Sequence, residues 1–199
     1  MCTFKDDRLL RVDPEKYLTL HSVSNSRMAQ PGTVLITGCS DGGSGSALAT
    51  LFQQNGYRVF ATARDIKKMS KLESLHNVRL LTLDVVNREQ IQAAVEIVSK
   101  ETGGTLTYLI NNAAQNHYMP MLDEDIETAK QIFEVNLWGP LAVAQAFAPL
   151  VIKAKGTMVF VSSVAGCLNV PYQGMNLAIY IDLTHVYQIY ASIPEIYSL

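Results

Sequence analysis

The sequence predicts an α/β protein built on a doubly wound parallel sheet of the Rossmann type. Short apolar runs alternate with helix-length segments between residues 33 and 161, and strands separated by helices pair in parallel through right-handed crossovers. A glycine cluster follows the first apolar run and precedes the first helix, which is the usual place of a nucleotide-binding turn. Apolar residues make up 48% of the 199 residues and charged residues 17%, enough for one domain with a full core.

The first half of the chain alternates as follows. Residues 34–37 form a short buried apolar run, and the next helix, 46–55, ends at Gly56, where a glycine can close it. Residues 58–63 are the second strand, 66–75 a helix and 78–83 the third strand. The expected inner face of helix 46–55 consists of Ala47, Leu48, Leu51 and Phe52.

The second half continues the alternation with longer helices. Helix 87–101 is followed by strand 106–110, then by a long helical region over 123–153 and by strand 157–161. The apolar positions of helix 87–101 recur at helical spacing and predict its inner face: Ile91, Ala94, Val95 and Val98.

The domain organisation has three parts. Residues 1–32 read as an N-terminal extension, which is either a disordered tail or the product of an unused upstream start, because Met28 precedes the first strand closely. Residues 33–174 are the nucleotide-binding domain. Residues 175–199 are an atypical tail with four of the nine tyrosines, and no Lys or Arg occurs beyond Lys155. A non-native reading frame and a genuine C-terminal helix both remain open for this tail.

Composition excludes several classes of function. A net charge of -2 gives no field for nucleic acid. The three cysteines are scattered, so we expect a reducing compartment, no disulfide framework and no metal site. No uninterrupted apolar run reaches the about 20 residues of a transmembrane helix, and the first residues carry charges where a secretory signal would be apolar.

The glycine cluster predicts a phosphate-binding turn. Glycines let the backbone turn tightly and approach a pyrophosphate, and the following helix offers free N–H groups at its positive end. The alternative is a plain strand-to-helix turn. The residues expected to touch the cofactor are Gly38, Ser40, Gly43, Ser44 and Gly45.

The end of the second strand bears on the choice between NAD and NADP. An acidic residue there would bind the ribose 2′-hydroxyl, whereas an arginine accommodates a 2′-phosphate. Arg64 favours NADP, with Lys67 and Lys68 close behind it. Asp65 leaves two interpretations open, since it could bind a ribose or cap the next helix. Arg64 itself could be a solvated surface charge.

Five motifs in order resemble the short-chain dehydrogenase/reductase family. Within the family, the doubled glycine, the Ala-Thr-Ala-Arg strand end and residues 145–150 resemble a fungal branch that is similar to the NADPH-dependent 1-acyldihydroxyacetone-phosphate reductases. The motifs are residues 37–45, Leu83-Asp84-Val85, Asn111-Asn112-Ala113-Ala114, Asn136 in Val-Asn-Leu-Trp-Gly, and Ser162-Ser163-Val164-Ala165-Gly166.

The resemblance implies roles for individual residues. Asp84 would bind the adenine amino group with Val85 beside the ring, and Asn111, Asn112 and Ala113 would line the cofactor. Asn136 would hold a water in a proton relay, and Ser163 would polarise the substrate carbonyl. Asp84 and Asn111 could instead be loop caps, and Ser163 an ordinary serine at a strand end.

The chain departs from the family pattern at three places. Ser44 replaces an aliphatic residue under the cofactor, and Ala114 replaces a usual glycine, a mild change. The family's tyrosine and lysine, four residues apart, would stand at the positions of Asn176 and Tyr180. The tyrosine is the proton donor and the lysine lowers its pKa. We therefore interpret the chain as truncated or mis-spliced after Gly174, with five strands instead of seven, and expect it to be inactive.

The expected parent activity is NADPH-dependent reduction of a small-molecule carbonyl, an acyl-dihydroxyacetone phosphate or a similar lipid-like ketone. The alternatives for this chain are a non-catalytic nucleotide-binding module and a non-functional fragment. The resemblance implies homo-oligomers in the family, which we do not extend to this chain. It also implies a cytoplasmic protein, peripheral to endoplasmic reticulum or lipid droplets.

Overall fold

A computed structural model describes residues 32–163 of the chain. The predicted tail 175–199, its residues Asn176 and Tyr180, and all but the last residue of the predicted extension 1–32 lie outside this range. The strands are β1 Thr33–Ile36, β2 Arg58–Ala63, β3 Val78–Thr82, β4 Tyr108–Asn111 and β5 Thr157–Phe160. The α-helices are α1 Ser44–Gln54, α2 Ser70–Glu73, α3 Arg88–Thr102, α4 Ile126–Phe133 and α5 Gly139–Ala154. Two 3₁₀ turns, Ile66–Met69 and Met121–Asp123, and a π-helical segment, Glu134–Trp138, complete the described elements.

The described strands form one sheet in the order β3-β2-β1-β4-β5, and every pairing is parallel. This order confirms the predicted doubly wound fold. The strand order reverses between β1 and β4, because the chain first builds outward on one side of β1 and then continues on the other. In open parallel sheets a crevice forms at the carboxyl ends of the strands at such a reversal, and ligands bind there.

The core follows from the alternation of side chains along each strand. Val34 and Ile36 of β1 point to the face covered by α1 and α2, and they pack in a cluster with Ala49 and Leu72. Leu35, between them, points to the opposite face. That second cluster is built with α3 and α5: Phe60, Leu83, Ile91, Ala94, Val98, Leu109, Val143 and Phe147.

The predicted inner face of α1 is confirmed in part. Leu48 and Phe52 are half-buried and pack against the cluster of Val34 and Ile36, whereas Ala47 is exposed and Leu51 is 54% exposed. The buried residues are Gly45, Ser46, Ala49 and Gln53, and the small side chains among them let the helix lie close to the sheet. The predicted inner face of α3 is confirmed, with Ile91, Ala94 and Val98 buried and Val95 half-buried.

The long helical region predicted over 123–153 is divided in the structure. A 3₁₀ turn precedes α4, and the π-helical segment separates α4 from α5. In this segment the N–H of Gly139 donates to the carbonyl of Glu134, five residues earlier. Such wide turns inside helices occur frequently at functional sites.

The helical run Ile126–Ala154 is long and apolar enough, by length and composition alone, to cross a membrane. Half of its most apolar stretch is buried inside the fold, where Val143, Phe147 and Val151 pack against the sheet. A core helix passes the same test as a membrane span, so the absence of a transmembrane segment stays a prediction.

Candidate functional site

The turn after β1 uses glycine where a side chain has no room. Gly38 has a φ of +75°, and a Cβ there would lie 2.8 Å from Cα of Ala113. A Cβ on Gly45 would overlap the carbonyl oxygen of Gly38. The loop after β4 and the start of α1 therefore meet the turn backbone to backbone, at the crevice between β1 and β4.

The N-terminus of α1 has no side-chain cap. Gly43 is the N-cap residue, makes no side-chain hydrogen bond to the helix, and no acidic residue lies in the first turn. Free N–H groups and the positive end of the helix dipole are thus directed at the crevice, an arrangement that binds anions. The carbonyl of Ser40 accepts a hydrogen bond from the N–H of Gly43 at 3.1 Å, which closes the turn.

Thr37 and Asn112 join the carboxyl ends of β1 and β4. The Thr37 hydroxyl oxygen accepts from the N–H groups of Asn112 and Ala113, both at 3.0 Å. The Asn112 amide donates to the carbonyls of Thr37 at 2.8 Å and Gly38 at 3.1 Å. Its oxygen accepts from the Ser44 hydroxyl at 2.8 Å. The structure thus brings Gly38, Ser44, Gly45, Asn112 and Ala113 together, as predicted for one site.

The end of β2 carries an exposed cation. Arg64 is exposed and forms no ion pair or hydrogen bond with any residue in the range 32–163. Asp65, for which two interpretations were open, caps the following 3₁₀ turn: its carboxylate accepts from the N–H of Lys67 at 3.0 Å. The capping bond favours the structural interpretation of Asp65.

A residue that the prediction did not assign, Asp41, links the glycine turn to this basic segment. Its carboxylate accepts from the Ser70 hydroxyl at 2.7 Å and from the N–H of Lys71 at 3.2 Å. Its own N–H donates to the carbonyl of Lys68 at 2.6 Å. The hydroxyl of Ser70 is the main cause that lowers the pKa of Asp41 below its ordinary value of 3.8. No motif indicates this link, because Asp41 and Ser70 are 29 residues apart.

Asp84 and Val85 follow β3 at the same edge of the sheet. Asp84 is half-buried, and its carboxylate accepts from the N–H of Val86 at 3.2 Å, so it shapes its own loop. Val85 is buried, and a Cβ on Gly139 would lie 2.7 Å from its Cγ2. The Val85 side chain therefore packs against the start of α5, and a place for it beside an adenine ring stays a prediction.

A second group of predicted residues lines a pocket at the carboxyl ends of β4 and β5. Asn111 and Asn136 are each 3% exposed. Among the residues that the structure describes, neither amide atom of Asn111 has a hydrogen-bond partner, and a buried polar group without one costs about 1–3 kcal/mol. The pocket is lined by Asn111, Ala113, Ala114, Asn136, Pro140, Phe160 and Val161.

The side chain of Asn136 is fixed by two hydrogen bonds to the main chain of Gln115. The Gln115 N–H donates to Oδ1 at 2.7 Å, and Nδ2 donates to the Gln115 carbonyl at 2.8 Å. A relay through Asn136 would therefore use its main chain or the remaining hydrogen-bonding capacity of its amide. Ser163, half-buried, follows β5 at the same edge of the sheet. Gln115 is a site residue that the sequence motifs did not indicate.

These residues fit a dinucleotide. The glycines let the turn pack backbone to backbone at the crevice, the N-terminus of α1 is uncapped, and Arg64 is a cation without a protein partner in the described range. Among the described residues, the buried amide of Asn111 has no partner and lines the adjoining pocket. In residues 32–163 no group of His, Cys, Asp or Glu side chains is arranged to hold a metal ion.

Comparison with known proteins places the chain among related enzymes. Short-chain dehydrogenase PC-15 of Penicillium crustosum is 56% identical over 133 residues, which are 67% of this chain and 49% of that protein. The NADPH-dependent 1-acyldihydroxyacetone phosphate reductase of Schizosaccharomyces pombe is 43% identical over 130 residues, 65% of this chain and 44% of that protein. The chain thus spans about half the length of the curated relatives it matches.

Solved structures agree with the fold. A short-chain dehydrogenase from Streptomyces avermitilis has a TM-score of 0.75 and 24% sequence identity, covering 83% of this chain and 61% of that one. ElxO, solved with NADP bound, has a TM-score of 0.71 at 24% identity, covering 78% and 65%. The family model described as short chain dehydrogenase matches residues 32–177. With its motifs in order around the β1–β4 crevice, the chain belongs to the short-chain dehydrogenase family.

Proposed function

We propose that the enzyme to which this sequence belongs reduces a carbonyl compound with NADPH. The preference for NADPH is argued from two residues at the end of β2. Arg64 is exposed and has no partner in the described range, whereas the carboxylate of Asp65 caps the next turn. An unpaired guanidinium suits a 2′-phosphate, since charge-assisted bonds to phosphate are strong and geometrically specific. A Schizosaccharomyces pombe relative, named for its NADPH dependence, supports the same choice.

The chain's own residues would hold the cofactor as follows. The N–H groups of Ser44 and Gly45 would bind the pyrophosphate at the start of α1, next to Gly43, whose own N–H closes the turn, and Arg64 would bind the 2′-phosphate. Asp84 binds the adenine, and Asn111 lines the nicotinamide side of the pocket. The nicotinamide, when bound, supplies the hydride.

Two residues would act on the substrate. The Ser163 hydroxyl donates a hydrogen bond to the substrate carbonyl and stabilises the charge that develops on its oxygen. Asn136 fixes the wall of the pocket through Gln115 and holds a water of the proton path. The substrate class suggested by the Schizosaccharomyces pombe relative is a lipid-like ketone such as an acyl-dihydroxyacetone phosphate.

For the chain as written we propose nucleotide binding without turnover. Asn176 holds the position of the family's tyrosine and Tyr180 that of its lysine. An amide does not supply the proton of a phenol, and a neutral phenol does not supply the charge of an ammonium. Loss of general acid catalysis lowers rates by about 10²–10⁴-fold. This observation favours the second candidate function, a nucleotide-binding module that acts without catalysis.

The test is a titration of the full chain with NADPH and, separately, with NADH. Binding is measured by nicotinamide fluorescence. Arg64→Ala should weaken NADPH binding by about tenfold to a hundredfold, the value of a charge-assisted hydrogen bond, and leave NADH binding unchanged. Arg79→Ala is the matched control, since it removes the same charge from a half-exposed side chain at the amino end of β3. Equal loss of NADPH and NADH affinity in Arg64→Ala would refute the 2′-phosphate role. Consumption of NADPH with a ketone would refute the absence of turnover.

A further inference from the structure

Asp41 joins the glycine turn after β1 to residues 64–71, here called the basic turn. Its carboxylate accepts hydrogen bonds from the Ser70 hydroxyl at 2.7 Å and from the N–H of Lys71 at 3.2 Å. Its own N–H donates to the carbonyl of Lys68 at 2.6 Å. One residue of the glycine turn is therefore hydrogen-bonded to three residues at the far end of the basic turn.

The near end of the basic turn is attached to the glycine turn as well. The N–H of Cys39 donates to the carbonyl of Thr62 at 2.8 Å, two residues before Arg64. Both residues of this contact are fully buried. The contacts of Cys39 and Asp41 thus lie on either side of Arg64 in the sequence, and the segment that carries the guanidinium is fixed to the glycine turn at both ends.

The basic turn needs such attachment because of its charge. Met69 is buried in the core cluster under α1, but the four cationic side chains are all exposed: Arg64, Lys67, Lys68 and Lys71. Like charges at short range repel one another. The position of these side chains therefore depends on the hydrogen bonds that hold the main chain beneath them.

An acidic residue is unfavourable in a phosphate-binding turn unless its charge has another partner. A carboxylate directed at a pyrophosphate would weaken binding by repulsion. The hydroxyl of Ser70 is the main cause that lowers the pKa of Asp41, so these hydrogen bonds stabilise the charged form of the carboxylate. The contact between the two turns therefore accounts for an acid at this position.

We infer that Asp41 is a positioning residue for the 2′-phosphate of NADPH. By fixing the far end of the basic turn, it holds Arg64 at a set distance from the glycine turn that takes the pyrophosphate. A site that is ordered before its ligand arrives binds more tightly, because less order is imposed on binding. The inference rests on the proposed function, and it goes beyond it by assigning part of the NADPH preference to a residue that touches no phosphate.

The first test removes the contact from each side. The full chain and its variants are titrated with NADPH and, separately, with NADH by nicotinamide fluorescence. Asp41→Ala should weaken NADPH binding by about threefold to tenfold, the value of one hydrogen bond. NADH affinity should not change, because NADH lacks the 2′-phosphate, and this affinity also reports that the variant is folded. Ser70→Ala should reproduce the change, whereas Ser70→Thr keeps the hydroxyl and should keep the parent affinities.

The second test asks whether Asp41 acts through Arg64. If it does, the double variant Arg64→Ala/Asp41→Ala should bind NADPH no more weakly than Arg64→Ala alone. Asp125→Ala is the matched control. The Asp125 carboxylate accepts from the hydroxyl and the N–H of Thr128, both at 2.8 Å, at the start of α4. Its removal should leave both nucleotide affinities unchanged.

Four results would overturn the inference. These are an unchanged NADPH affinity in Asp41→Ala, an equal loss of NADPH and NADH affinity, a further loss in the double variant, and a gain of NADPH affinity, which would mean that the carboxylate only repels phosphate. The parent chain separates the two proposals. If it prefers NADPH through Arg64 and Asp41→Ala keeps that preference, the positioning role alone is rejected. If it binds both nucleotides equally, the NADPH preference of the proposed function is rejected, and the positioning role with it.

Discussion

Cys39 places a buried thiol in the turn after β1. Its side chain is fully buried, with Sγ 3.3 Å from the carbonyl oxygen of Ile36. Burial raises the pKa of the Cys39 thiol from 9.0 to about 12. Between these values the unfolded chain loses a proton that the folded chain keeps, so the free energy of unfolding must fall as pH rises.

We predict that ionisation of this thiol lowers the free energy of unfolding by about 1.4 kcal/mol per pH unit above about pH 9. Urea unfolding at about pH 8 and about pH 10 measures this decrease. Tyrosines ionise in the same range, so the comparison is with Cys39→Ala, which should show a shallower loss. An identical pH dependence in the two proteins would show that the thiol ionises in the folded chain.

Ser44 is the departure from the family pattern that the structure explains. Its hydroxyl holds the Asn112 oxygen at 2.8 Å, and the same amide donates to the carbonyls of Thr37 and Gly38. The contact orients Asn112 under the glycine turn by a hydrogen bond rather than by apolar packing.

We predict that Ser44→Ala weakens NADPH binding by about threefold to tenfold, the value of one hydrogen bond. Thr50→Ala is the control, because it removes a hydroxyl from the same helix that donates to the Ser46 carbonyl within α1 and not to Asn112. Equal affinities for Ser44→Ala and the parent chain, measured by nicotinamide fluorescence, would mean that Asn112 needs no support from Ser44.

Individual site residues differ in how far the sequence could predict them. Gly38 and Gly45 are predictable because the need for glycine is set by a local turn and a close backbone contact. The capping role of Asp65 is local as well, but the sequence left it open because a ribose contact uses the same residue type. The packing of Val85 on Gly139 and the hydrogen bonds between Asn136 and Gln115 join distant parts of the chain. Such contacts depend on the tertiary fold, and no motif encodes them.

Helices and strands were predictable to different degrees at the scale of whole elements. The strands were found within two residues, because short apolar runs between helices have one arrangement in a parallel sheet. The inner face of α1 was right for Leu48 and Phe52 but missed the buried residues Gly45, Ser46 and Ala49, because a close helix–sheet contact made by small residues carries little hydrophobic signal. The π-helical segment was not predicted at all, since its hydrogen-bond shift leaves no mark on the apolar period.

The contribution of the π-helical segment to the free energy of unfolding can be measured by substituting Asn136. Asn136→Leu keeps the volume and removes both hydrogen bonds to Gln115. We predict a decrease in the free energy of unfolding of about 1–3 kcal/mol, from about 0.5–1.5 kcal/mol for each of the two hydrogen bonds. Asn55→Leu removes a single exposed bond to the Leu51 carbonyl and should cost less than about 0.5 kcal/mol. Chemical denaturation compares the two, and equal losses would show that the Asn136 contacts add nothing.

At the scale of the whole molecule, one site is assembled from the ends of four strands. The glycine turn follows β1, Arg64 follows β2, Asp84 follows β3 and the Asn111–Ala113 segment follows β4. These groups lie along one edge only when the strands pair in the order β3-β2-β1-β4. The unfolded chain therefore has no nucleotide site, and a ligand that fills the site must stabilise the folded state.

We predict that NADPH at about 100 times its dissociation constant raises the free energy of unfolding of the full chain by about 2.7 kcal/mol. NADH at the same concentration should give a smaller increase, because it lacks the phosphate that Arg64 would bind. In Arg64→Ala the two nucleotides should become equivalent. Urea unfolding with each nucleotide provides the values, and an unchanged denaturant slope would show that the extent of unfolding is the same. Equal shifts in the parent chain would reject the NADP preference, and no shift with either nucleotide would mean that these four strand ends do not form a working site in this chain.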